Sequence, residues 1–218
     1  KCIKENDLKR LKEAEVPEWY INSCLKIKYL FPKAHASAYV FDSWRMAWYK
    51  LYYPLAFYGC YFSIKAEDFD LETCWKGREA IETKMDKIEA FDNSNGFKFA
   101  NEIKKNDKFK YEVFETMLEC LARGFKCGNI DLNKSDAKYF VLDKENKALI
   151  PPFITIPSLG DIVAEKIVKE RKIKPFKTKE DLQNRCKLSV AHMEFLEKYG
   201  IINHLENEDQ GSLFDADF

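Results

Sequence analysis

Proline sets the lengths of the pieces this chain can fold into. Pro17, Pro32 and Pro54 all fall within the first 66 residues. Each lacks an N–H and crowds the turn before it, so none sits inside a regular helix. Between them apolar residues recur at helical spacing, which predicts short helices over about 5–15, 18–30 and 36–53, and another from Pro54 to about Ile64. Lys33-Ala-His35 form the turn after Pro32. Residues 1–66 are thus expected to be a compact, basic, all-helical unit.

Further along, a helix is predicted at 71–91, then a polar loop at Asp92-Asn-Ser-Asn-Gly96, then a helix near 109–123. In that last helix Tyr111, Phe114, Met117, Leu118 and Leu121 keep the spacing of a buried stripe. No chemistry is assigned to 67–132, which reads as a helical connector. At 138–150 the pattern becomes strand, polar turn, strand, closed by Pro151-Pro152. Helices follow at about 160–172, 178–186 and 189–199, the last ended by Gly200. The fold class expected is mainly α with a small β-hairpin.

Every apolar run is interrupted by Lys, Arg or Asp before it reaches the ~18 residues a membrane helix needs, and no apolar run follows the charges of Lys1–Arg10 as in a signal peptide. The chain has no initiating Met, so it is expected to be cut from something longer. Seven cysteines, scattered and never in C-x-x-C, argue against a zinc site or a disulfide framework and for reduced thiols in a cytoplasmic protein.

The formal net charge is zero, 36 basic against 36 acidic groups, which alone argues against a nucleic-acid partner. The zero is a cancellation. Residues 1–66 carry 11 basic and 6 acidic groups, 67–132 carry 11 and 15, 133–203 carry 14 and 10, and 204–218 carry 0 and 5. Two basic blocks alternate with two acidic ones.

The second basic block holds Ile156-Pro-Ser158-Leu159-Gly160-Asp-Ile-Val-Ala164-Glu-Lys166-Ile167. Pro and Gly force a tight turn, Gly160 lets a backbone come close, and the helix start presents N–H groups suited to a phosphate. Nine basic residues between Lys166 and Lys187, against three acidic ones, add a footprint for duplex DNA that includes Lys169 and Arg171. Lys187-Leu-Ser189-Val-Ala-His192 repeats the plan with Ser189 as N-cap, and His192 reads as a surface or packing residue. The two units resemble a tandem helix-hairpin-helix, which grips DNA backbones without reading bases. Ser158 stands where that family usually has glycine, and the second hairpin has none.

The tail after Leu205 has no Lys or Arg and is expected to be disordered until bound. Its Gln210-x-x-Leu213-Phe214 resembles the peptide with which bacterial replication proteins hold the sliding clamp, and burying Leu213 and Phe214 would return roughly 1.5–3 kcal/mol each.

Lys33 and His35 before a helix are suited to a triphosphate, and Tyr39 or Trp48 to a base, although an aromatic-rich helix is more often core. Here resemblance adds to the residues. Phe31-Pro-Lys-Ala-His-Ala-x-Ala-Tyr-Val, Arg45-x-Ala-Trp-Tyr-Lys, Tyr53-Pro-Leu, Ala66-Glu-Asp-Phe-Asp-Leu, Asn129-Ile-Asp-Leu-x-Lys-Ser-Asp-Ala, Leu149-Ile-Pro-Pro-Phe and Lys179-Glu-Asp-Leu-Gln-x-Arg resemble the replicative DNA polymerase III alpha subunit of Gram-positive type. Trp44 and Trp48 depart from it, and beside it the loop around Asn93–Asn106 looks like an insertion.

The resemblance implies that 1–66 is the end of the fingers, 67–132 a helical connector, 133–203 a duplex-binding domain with tandem hairpins, and 204–218 a clamp-binding tail. It implies an incoming dNTP at Lys33, His35 and Tyr39 or Trp48, and a DNA-directed DNA polymerase whose Mg²⁺ ligands and palm lie outside this chain, leaving the chain inert alone. A second class, a non-catalytic DNA-binding adaptor with the same hairpins and tail, fits the same residues.

Overall fold

The computed structural model describes residues 5–26 and 32–207. In chain order its elements are α1 (Glu5–Glu13), α2 (Glu18–Lys26), α3 (Lys33–Tyr52), α4 (Pro54–Ile64), α5 (Leu71–Lys76), α6 (Arg78–Asn93), α7 (Lys108–Ala122), β1 (Lys126–Cys127), β2 (Val141–Asp143), β3 (Ala148–Ile150), α8 (Asp161–Ile173), α9 (Lys179–Cys186) and α10 (Val190–Lys198), with single 3-10 turns at Ala66–Asp68, Lys105–Asp107 and Phe153–Thr155. The fold is mainly α with one small sheet, as expected.

Two compact units divide at Trp48/Tyr49. The first holds α1, α2 and most of α3. In α2, Ile21 is buried. No residue of α3 is buried: Tyr39 is 65% exposed, Phe41 64% and Trp44 75%. The aromatic side chains of α3 are thus exposed among the described residues, and the units divide at Trp48/Tyr49 where the charge blocks divide at residue 66. Proline sets both ends of α3, as it starts at the residue after Pro32 and stops before Pro54.

In the second unit α4 supplies Tyr58 and Phe62 to the core, where Phe62 meets Phe69 edge-on at 5.4 Å and Phe140 at 5.7 Å. Residues assigned to the connector and to the hairpin domain share this one core, which runs from Tyr58 through Ile81, Phe114 and Leu149 to Leu182 and Leu196. Phe114 and Met117 are fully buried, as the stripe predicts.

The helix predicted at 71–91 is two helices. Gly77, at φ 87° and ψ −166°, breaks it and starts α6. That backbone is essentially open to glycine alone, and nothing crowds the place a Cβ would occupy. The sheet, too, has a strand beyond the predicted hairpin. β3 is central, antiparallel to β2 through Leu142 opposite Leu149, and parallel to β1 through Cys127 opposite Leu149.

Several motifs carry backbone accounting. Asp70 Oδ1 caps α5 by accepting the Thr73 N–H at 3.1 Å. Asp131 Oδ1 accepts from the Asn133 and Lys134 N–H groups at 2.8 and 3.1 Å. The buried Ser135 hydroxyl accepts from the Asp131 N–H and donates to the Pro151 carbonyl at 2.8 Å, tying the segment after β1 to the one after β3. Three groups converge on Glu119 of α7 and its surroundings: Lys50 at 2.6 Å, the Tyr58 hydroxyl at 2.8 Å, and Arg123, which donates to the Lys50 carbonyl and so anchors the last turn of α3.

The six described cysteines carry no disulfide. Burial pushes the Cys120 and Cys127 thiols up to about 12, which keeps them protonated and unreactive.

Candidate nucleic-acid interface

Two hairpins in the second unit share one backbone. In the first, Ser158 takes a left-handed φ of 63°, Leu159 is buried, and Gly160 caps α8 at φ −77°, ψ 162°. In the second, Lys187 takes φ 57°, Leu188 is buried, and Ser189 caps α10 at φ −71°, ψ 162°. A left-handed residue turns the chain, leucine anchors it, and an extended residue opens the helix. The left-handed positions are those where glycine comes free, and here Ser and Lys occupy both at a steric cost.

The two helix starts differ chemically. Ser189 Oγ accepts the His192 N–H at 3.2 Å. Gly160 offers no side-chain cap, so the first N–H groups of α8 have no acceptor from the cap residue, and no atom lies within 4 Å of where a Gly160 Cβ would be. This is an open helix start of the kind that binds phosphate. One carboxylate opposes it, since Asp161 is the first helical residue, and Lys138 draws it aside at 2.9 Å together with Glu165 at 2.8 Å. Those two carboxylates, Glu165 first, hold the Lys138 ammonium above the ordinary lysine range.

Of the nine basic residues counted along 166–187, three work inside the fold. Arg171 donates to the Leu132 carbonyl at 2.9 Å and lies over the Phe153 ring, and burial lowers the affinity of its guanidinium for the proton. Arg185 donates to the Glu170 and Lys174 carbonyls at 2.6 and 3.0 Å, pairs with Asp181 at 3.1 Å and covers Phe176, stapling α9 to α8. Lys179 pairs with Glu197 at 3.0 Å. Lys166, Lys169, Lys172, Lys174, Lys177 and Lys187 have side chains without an ion pair among the described residues. Charge counting found the block but not which cations turn inward.

His192, read from sequence as a surface or packing residue, joins the hairpins: its Nδ1 accepts the Ser189 N–H at 3.4 Å and its Nε2 lies 3.3 Å from the Ser158 carbonyl. A polar residue three positions after an N-cap is the one signal in the sequence that could have found it. From behind, the acidic segment braces this region. Trp75 of α5 packs on Phe195 and Tyr199 and donates to the Gly128 carbonyl, and Glu72 accepts from Lys198 at 3.1 Å and from the Tyr199 hydroxyl. A cleft of about 610 Å³ between the first hairpin and this segment is lined by Glu67, Asp70, Glu72 and Asp161, with Lys110, a set that repels phosphate.

In the first unit Lys33 and His35 lie in the first turn of α3, which contains no acidic residue, rather than in a turn before it. The His35 ring meets Tyr39 edge-on at 4.5 Å. The structure thus brings His35 and Tyr39 together, whereas Lys33 lines a groove with Ala36, Val40 and Trp44, and Trp48 stands fifteen residues after Lys33, about 22 Å along the axis at the α-helical rise. Gln210, Leu213 and Phe214 lie outside the described residues.

A family model described as "Helix-hairpin-helix motif" matches residues 124–211, spanning both hairpins. The chain is 46% identical over 204 residues, 94% of its length, to a DNA polymerase III PolC-type of Ureaplasma parvum. It is 44% identical over all 218 residues to the protein of that name from Lacticaseibacillus paracasei, and 42% over 210 residues to that from Thermotoga petrophila. The chain is homologous to part of PolC-type DNA polymerase III. It spans about 14% of the length of these curated relatives. The match to the Lacticaseibacillus paracasei protein covers both the helix-hairpin-helix region and α3. No helix among the described residues is long and apolar enough to cross a membrane.

Proposed function

We propose that this chain is the duplex-gripping portion of a DNA-directed DNA polymerase of the PolC type, acting in the cytoplasm. The observation that carries the reading is the repeated backbone of Ser158–Gly160 and Lys187–Ser189, set beside lysines without an ion pair among the described residues, in a chain whose relatives bear that name. Backbone N–H groups at the starts of α8 and α10 hold phosphate oxygens. Lys166, Lys169 and Lys187 add charge without reading bases. Arg171 serves this surface from behind, by holding α8 on the segment at Leu132.

The first segment, 1–66, contributes the incoming dNTP contacts: Lys33 and His35 toward the triphosphate, Tyr39 toward the base. The tail, 204–218, holds the sliding clamp through Gln210, Leu213 and Phe214. Magnesium belongs to the polymerase outside this chain. The acidic side chains here are a poor ligand set: Asp70 caps α5, Glu72 binds Lys198 and Tyr199, and no group of three or more His, Cys, Asp or Glu among the described residues could hold a metal ion. On this reading the chain alone binds DNA without extending it, and primer extension by the isolated chain would contradict this.

The test is binding of the 218-residue chain to short duplexes of unrelated sequence. Affinities should be alike, and with about four phosphates engaged they should fall roughly a hundredfold between about 50 and about 200 mM salt. Binding that is sequence-selective or indifferent to salt would contradict the reading.

A further inference from the structure

The two hairpins open different helices, and among the described residues the hydrogen bond that links them directly passes through one ring. His192 Nδ1 accepts the Ser189 N–H at 3.4 Å, so the ring proton sits on Nε2, 3.3 Å from the Ser158 carbonyl oxygen. Ser158 holds a left-handed conformation without being glycine, and its carbonyl is met by the other hairpin's histidine. One imidazole thus uses both nitrogens, one on each hairpin.

We propose that His192 is a positioning residue that sets the spacing of the two phosphate-facing hairpins, and so the fit of the pair to successive phosphates of a duplex; the proposal rests on the reading that these hairpins grip DNA. Contacts to phosphate depend on donors held to within about half an ångström, and a hairpin left to drift spends binding energy on its own ordering.

The two nitrogens can be separated by substitution. In His192→Asn the amide oxygen takes the place of Nδ1 and keeps the cap to Ser189, but the side chain is too short to reach Ser158. In His192→Gln the amide nitrogen takes the place of Nε2 and reaches the Ser158 carbonyl. Duplex affinity and melting temperature are measured for both, beside a Lys166→Gln/Lys169→Gln/Lys187→Gln chain. Expected is a threefold to tenfold weaker affinity for His192→Asn, about the worth of one ordering hydrogen bond, at an unchanged melting temperature, with most of the affinity recovered in His192→Gln. An Asn variant that binds like the parent overturns the proposal, as does equal loss of affinity and melting temperature in both variants, which would make His192 a fold residue only. If the triple lysine chain binds like the parent, the reading of the hairpins falls, and the role of His192 with it.

Discussion

Ser158 and Lys187 occupy the positions where a helix-hairpin-helix would otherwise place glycine, and the cost of each is of order 1 kcal/mol. For Lys187 the cost buys a cation at the hairpin tip, exposed and unpaired among the described residues. Lys187→Gly is therefore expected to stabilise the chain by about 0.5–1 kcal/mol in a denaturant melt while weakening duplex binding. A variant that is less stable, or that binds DNA as well as the parent, would remove the trade. Arg171 and Arg185 show the opposite use of a basic residue. Their guanidinium groups satisfy carbonyls within the fold, and no count of charges along 166–187 could have told them from Lys166 and Lys169, because direction is set by neighbours remote in sequence.

At the scale of elements, helix ends were legible wherever proline or a capping side chain marks them: α3, α4, α9 and α10 lie within about three residues of their expected bounds. The break at Gly77 was not legible, because the apolar spacing continues across it. Gly77→Ala touches no atom, yet should cost about 1–3 kcal/mol by conformation alone, read from chemical denaturation. β1 was invisible for another reason: two residues have no period, and their pairing with β3 is made by distant chain.

The packing of α7 on α4 and the end of α3 predicts a pH response. Burial by itself would push the Glu119 carboxyl up, but hydrogen bonds from Lys50 and Tyr58 outweigh it and hold Glu119 below the usual glutamate range. A carboxylate depressed in the folded state stabilises at pH above its unfolded value, and that stability is lost as pH falls through the folded value. Glu119→Gln should thus flatten the loss of stability on acidification below the ordinary glutamate range, as followed by melts across pH. An unchanged acid limb would show that the cluster contributes nothing.

For the whole molecule, the sequence divided the chain by charge at residues 66, 132 and 203, whereas packing divides it at Trp48/Tyr49 and runs one core through connector and hairpins. Charge blocks report what a surface meets and say little about which segments share an interior. The exposure of α3 was likewise hidden, since an aromatic-rich helix reads the same whether it is covered by its own chain or left exposed, and this chain spans about 14% of the length of its PolC-type relatives. In the intact polymerase Lys33→Ala should raise the KM for dNTP far more than Trp48→Ala, and equal effects would return Trp48 to the nucleotide site. Leu213→Ala/Phe214→Ala should abolish clamp capture and spare duplex affinity, and a parallel loss of both would make the tail part of the fold.

The central claim is that hairpin lysines and helix starts hold the duplex backbone. It is tested most directly by the salt dependence of duplex binding in the chain carrying Lys166→Gln, Lys169→Gln and Lys187→Gln. Binding should weaken, with the slope of log affinity against log salt reduced by about 1 per lysine removed. An unchanged slope would place the DNA elsewhere on the molecule and contradict it.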